Sequence, residues 1–142
     1  MYLTDSENKL TVDEINAFNA YFDHHLPASF LDFYLKNNGG YPHDNEEGNP
    51  FMLGGFNPIK YGDLPIEQLY HDLIESFGEL KNMVPFAYDD GGNTFLLSLK
   101  SDDSLGRVRI STLRNENETF SQLNSITYIG VFLRLVTYSH LP

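Results

Sequence analysis

Apolar residues recur along this chain at two periods, and the switches between them mark its elements. Ile15, Phe18 and Phe22 are spaced for one face of a helix. Ahead of them, Thr11-Val12-Asp13-Glu14 has the spacing of a capping box. In that arrangement the Thr hydroxyl accepts from the amide three residues on and the Glu carboxylate reaches back. The pair predicts a helix from there to about Phe22. A second helix is predicted to open at Leu26-Pro27, because proline is tolerated in a first turn. Leu26, Phe30, Phe33 and Tyr34 form its apolar stripe, widened by Leu31 and Leu35. Asn37-Asn38-Gly39-Gly40 should end it, since Asn and Gly accept the left-handed conformation there. Ile66, Leu69, Tyr70, Leu73 and Phe77 carry the clearest helical period in the chain. They predict a third helix that begins near Gly62-Asp63-Leu64-Pro65 and stops at Gly78.

Between and after these helices the period falls to two. Val84-Pro85-Phe86-Ala87-Tyr88 reads as an apolar strand, Asp89-Asp90-Gly91-Gly92-Asn93 as a tight turn, and Thr94 to Leu99 as a second, buried strand. Glycine supplies the positive φ that such a reversal needs. Two shorter strands are expected at Phe51-Met52-Leu53 and at Phe56 to Lys60, separated by Gly54-Gly55, with Pro58 placing the second at an edge or bulge. Arg107 to Thr112 and Phe120 to Leu123 are further strand candidates. The segment Asn124 to Tyr138 is rich in β-branched residues, yet Ile126, Ile129, Leu133 and Val136 follow a helical period and Ser125 could cap a start; a terminal helix is expected. Residues 1–10 are polar and expected to fray, leaving 11–142 as a single domain.

Charge adds what patterning does not. The chain of 142 residues has a net charge of −11, and the acidity is uneven. Residues 1–106 hold five basic and eighteen acidic side chains, a net of −13, whereas residues 107–142 carry a net of +2. Such a surface repels phosphate backbones, which argues against direct nucleic-acid binding, and it speeds encounter with a basic partner. There is no cysteine, so disulfides and thiolate metal sites are excluded. No apolar run approaches the ~20 residues of a membrane span. Met1-Tyr2-Leu3-Thr4-Asp5-Ser6-Glu7 lacks the basic and apolar regions of a signal peptide, which leads to an expected cytoplasmic location.

Candidate chemistry is sparse. His24, His25, His43, His71 and His140 include no His-x-x-x-His pair, so structural or solvent roles are expected for them, and no metal or cofactor. Glu67, His71 and Glu75 recur every four residues, as a solvated helix face would. The acids of His43-Asp44-Asn45-Glu46-Glu47-Gly48-Asn49 invite a calcium reading, but the EF-hand spacing is absent. An EF-hand loop starting at Asp89 or Asp90 would need an acid where Lys100 or Ser101 stands. Arg107 and Arg109 point to one side of their strand and are expected to pair with carboxylates or to contact a partner.

Two segments together resemble the SUKH superfamily, which includes the Smi/Knr cell-wall-assembly regulators of yeast and many bacterial relatives. One runs from Leu26-Pro27 through Phe30-Leu31-Asp32-Phe33-Tyr34-Leu35 to Asn37-Asn38-Gly39-Gly40-Tyr41-Pro42. The other is Val84-Pro85-Phe86-Ala87-Tyr88-Asp89-Asp90-Gly91-Gly92-Asn93. The signature positions are thus Pro27, Asn38, Gly39, Gly40, Pro42, Pro85, Asp90, Gly91, Gly92 and Asn93. The resemblance implies an α+β domain, a curved antiparallel sheet with helices packed on one face. It carries no catalytic residues to transfer. It implies a non-catalytic binding protein, a bacterial immunity protein that neutralises a basic toxin such as a nuclease. Two alternatives are a regulator or scaffold of the Smi/Knr type and a small metal-dependent hydrolase using Asp89, Asp90 and a histidine. The expected partner contacts are Asp44, Glu46, Glu47, Asp89 and Asp90.

Overall fold

The computed structural model describes residues 3–42, 53–102 and 105–112. The acidic loop with Asp44, Glu46 and Glu47, the strand expected at Phe120 to Leu123 and the helix expected at Asn124 to Tyr138 lie outside these residues.

Thr11 caps the first helix as its sequence requires: the Thr11 Oγ1 accepts from the Glu14 amide at 3.1 Å, and α1 runs Val12–Ala20. Only half of the capping box forms. The Glu14 carboxylate turns away and accepts from the Tyr61 hydroxyl at 3.0 Å, with Lys60 Nζ 3.6 Å from the same oxygen. Helix α2 spans Ala28–Lys36, with Pro27 at its N-cap and Asn37 at its C-cap. Asn37 is extended at φ −138°, so the reversal falls instead on Gly39 (φ 72°) and Gly40 (φ 119°). Helix α3 spans Ile66–Ser76 behind Pro65. Gly78 does not cap it in a left-handed turn; it opens a short 3-10 turn, Gly78–Leu80.

A four-stranded antiparallel sheet runs in the order β3 (Leu53–Phe56), β4 (Met83–Asp89), β5 (Asn93–Ser98), β6 (Val108–Thr112). The expected hairpin is its centre, β4 pairing with β5 and each having a second neighbour. The pairing slips between Pro85 and Ala87, a bulge that bends the strand at Phe86. The Phe86 carbonyl is not wasted there: it accepts from the Asn57 amide at 2.8 Å and faces the buried Tyr34 hydroxyl at 3.2 Å.

Two sequence expectations are corrected. Gly54-Gly55 does not separate two strands; β3 runs straight through it. Glycine is required because Tyr88 on β4 stands over this strand, its hydroxyl occupying the place a Cβ on Gly55 would take. The expected second strand fails to form at Asn57 to Lys60 because Asn38 intercepts its backbone, binding both the amide and the carbonyl of Ile59. Residues 3–10 are held to the rest of the fold. Leu3–Thr4 (β1) pairs with Tyr41–Pro42 (β2), Ser6 Oγ donates to the Gly39 carbonyl at 2.8 Å, and Leu10 is buried.

Packing follows strand alternation. Phe95 and Leu97 join Val84 and Phe86 in a large cluster with Ile15 and Phe18 of α1 and Phe30, Phe33 and Tyr34 of α2. The rings pack closely, Phe30 stacked on Tyr34 at 4.7 Å and Phe33 tilted against Phe56 at 5.0 Å. Leu96 points the other way and meets Met83, Leu80 and Leu73 in a smaller cluster with Phe77 packed on it. Helix α3 therefore reaches the large core through Ile66 and Tyr70 and the opposite side of the sheet through Leu73.

Candidate functional site

The β4–β5 turn is built around one carboxylate. Asp89 Oδ1 accepts from the amides of Gly91 (3.0 Å) and Asn93 (2.9 Å), and Oδ2 accepts from Asn93 Nδ2 (2.8 Å). The Gly92 amide adds a bond to the Asp89 carbonyl, with Gly92 at φ 83°. A short acid is needed here because its oxygens must reach backbone two and four residues ahead. Both oxygens of Asp89 are engaged within the turn, so it holds the hairpin. Asp90, its neighbour, is exposed. The structure thus separates two residues that the sequence grouped.

The other signature is a clamp. Asn38 is buried, and its side chain meets three backbone groups. Nδ2 donates to the carbonyls of Asn8 and Ile59, both at 2.9 Å, and Oδ1 accepts from the Ile59 amide at 2.7 Å. Gly39 lies so close to Pro58 that a Cβ would sit 2.9 Å from the Pro58 nitrogen. Gly40 completes the joint by exchanging both backbone bonds with Phe56.

Between these two joints lies a groove of about 550 Å³. Leu69 and Leu73 of α3, with Phe77 at its C-cap, form one wall; Pro85, Tyr88 and Thr94 of the central hairpin line it from the sheet. Tyr41 and Leu64 also line it, and both are large apolar residues left exposed, at 50% and 46%. Four carboxylates border the groove: Asp5 and Glu7 ahead of α1, Asp63 ahead of α3, and Asp72 on α3. No basic side chain is among the described residues that line it. Burial raises the Tyr88 phenol above its ordinary value, and the neighbouring Tyr41 and Asp90 push it the same way. Tyr88 lines the groove while its hydroxyl lies over Gly55 and hydrogen-bonds with Tyr41.

The remaining candidates either make contacts of their own or lie outside the described residues. Glu67 does not join His71 and Glu75; its two oxygens accept from the Lys60 amide at 2.8 and 3.2 Å. His71 pairs with Glu75 at 3.1 Å, and these two with Asp72 form an exposed, solvated group. His25 meets Asn19. Arg109 is part-buried near Glu79: burial pulls its guanidinium below the ordinary value and the carboxylate opposes this. The groove's walls went unrecognised because Leu69, Leu73 and Phe77 carry the same helical period as core residues. The signal within reach was Leu64 beside Asp63, an apolar residue placed before the helix rather than on its stripe.

An antiparallel sheet with helices, an Asn-Gly-Gly clamp and an Asp-anchored Gly-Gly hairpin define a small α+β domain. The model of the SMI1 / KNR4 family (SUKH-1) matches residues 9–128, and the chain belongs to that family. No curated protein and no solved structure matches the chain. The family includes immunity proteins and Smi/Knr-like proteins; its members are generally non-catalytic and bind protein partners such as toxins. No helix among the described residues is long and apolar enough to cross a membrane.

Proposed function

We propose that this chain is a non-catalytic binding protein of the immunity type, which binds a cognate toxin with a basic surface, of the nuclease class, and neutralises it in the cytoplasm. The carrying observation is the net charge of −13 on residues 1–106 in a chain of this family. Acids on an inhibitor steer it toward a cationic nuclease and compete for the cleft that receives phosphate. Asp44, Glu46, Glu47 and Asp90 are the contacts this reading assigns. Asp89 is withdrawn from that set, since its oxygens already serve the turn. The same geometry counts against the hydrolase alternative, which needs Asp89 as an available acid. A regulator or scaffold of the Smi/Knr type is the second reading, favoured by the family's membership.

Co-expression with the product of the adjacent toxin gene tests the first reading. The expected result is a complex at micromolar concentration and survival of cells that the toxin alone kills. Absence of both a complex and protection would rule it out in favour of the regulator.

A further inference from the structure

We infer that the groove between α3 and the central hairpin takes an extended segment of the protein partner in which one large apolar side chain is flanked by lysine or arginine. This rests on the reading of the chain as a protein-binding domain and adds where the partner docks and what it presents.

Three features of the groove select this occupant. Its interior is apolar, with Leu69, Leu73 and Phe77 on one side and Pro85 on the other. Leu64 and Tyr41 remain exposed beside it, and exposed tyrosine and aliphatic surface in a concavity is what an anchor side chain covers. The acids around it come from three separate parts of the chain: Asp5 and Glu7, Asp63, and Asp72. A ligand that met only the apolar interior would leave those charges facing it; one with cations on either side of its anchor pairs with them. The volume lies within the range of about 300–1,000 Å³ in which pockets enclose a drug-sized ligand. That is room for a few residues of extended peptide, not for a second domain face.

The probe is the fluorescein-labelled peptide Gly-Lys-Lys-Phe-Lys-Lys-Gly, used with the full-length protein at low salt. Two controls replace its Phe by Ser or its four Lys by Glu. Binding is read by anisotropy, and its place by amide chemical shifts. The Phe peptide should bind about tenfold more tightly than the Ser peptide, the Glu peptide should not bind, and shifts should concentrate at Leu69, Ala87, Tyr88 and Thr94. Leu64→Ser should weaken the Phe peptide but not the Ser peptide. Asp63→Asn with Asp72→Asn should weaken both, by roughly fivefold. All these positions except Ala87 are away from the buried core, and matching thermal melts will show that the variants fold.

Equal binding of the Phe and Ser peptides, or shifts centred on another face, would overturn the inference. So would failure of every peptide, as expected if a second copy of the chain or its own residues 113–142 fill the groove. The two proposals fail separately. Groove binding without protection from the toxin would refute immunity and leave the groove standing. Protection that survives Leu64→Ser combined with Asp63→Asn and Asp72→Asn would refute the groove and leave immunity standing.

Discussion

Asn38 shows how much one side chain can hold. It joins the segment ahead of α1, the end of α2 and the loop after β3 through three bonds to backbone. Asn38→Ala would leave the Ile59 amide and two carbonyls without partners in a nearly dry site. The expected loss is about 2–4 kcal/mol, since each buried group left unsatisfied costs about 1–3 kcal/mol. Urea unfolding reads it as a lowered midpoint at unchanged slope; an unmoved midpoint would show that Asn38 is not the joint. Glu67 makes the opposite kind of contribution. Desolvation raises its carboxyl above the ordinary 4.5, outweighing the Lys60 amide and charge that pull it down. The folded state therefore binds a proton more readily than the unfolded chain. Stability associated with this group is present below about pH 4.5 and is lost as pH rises through the higher folded value. Glu67→Gln should flatten that fall in a series of melts across the window just above pH 4.5. The effect will be small, because the carboxyl is half in solvent and screened.

At the level of elements, close approach between strands explains residues that propensity alone would reject. Two glycines weaken a strand in isolation. In β3 they make room for Tyr88, whose hydroxyl would collide with a Cβ on Gly55. Gly55→Ala should cost about 1–3 kcal/mol by overpacking, and Tyr88→Phe in the same chain should recover part of it. A thermodynamic cycle of four melts measures that coupling; additive losses would mean that the two residues do not meet. The hairpin turn yields a second contrast. Asp89→Ala removes three bonds and should destabilise by about 1–3 kcal/mol. Asp90→Ala, at an exposed position, should shift stability by no more than about 0.5 kcal/mol. If the proposed function is right, Asp90→Ala nevertheless weakens partner binding, which titration of the complex would reveal.

For the whole molecule, charge and shape act at different ranges. A net charge of −11 acts before contact, over a screening length of about 10 Å at 0.1 M salt. The groove acts only on contact. Association with a cationic partner should therefore slow steeply as salt rises while dissociation changes little, and stopped-flow mixing separates the two rates. A dissociation rate that rises with salt as steeply as association falls would place the charges inside the contact, not around it. Much of this molecule was legible in its sequence. The Thr11 cap, the stripe of α2, the period of α3 and the hairpin from Val84 to Leu99 each rest on neighbours along the chain, where local chemistry decides. The family resemblance drew on the same local features, and the family match supports it. What eluded that reading lies wherever distant residues meet. Gly54-Gly55 looked like a break until Tyr88 stood over it. Residues 3–10 looked loose until Asn38 and Gly39 received them. Asp89 and Asp90 looked alike until the turn consumed one and exposed the other. The groove belongs to no single segment: its walls come from α3 and the central hairpin, its acids from three stretches of chain. Periodicity marks which residues turn inward, but only packing settles which of those surfaces close on each other and which remain open.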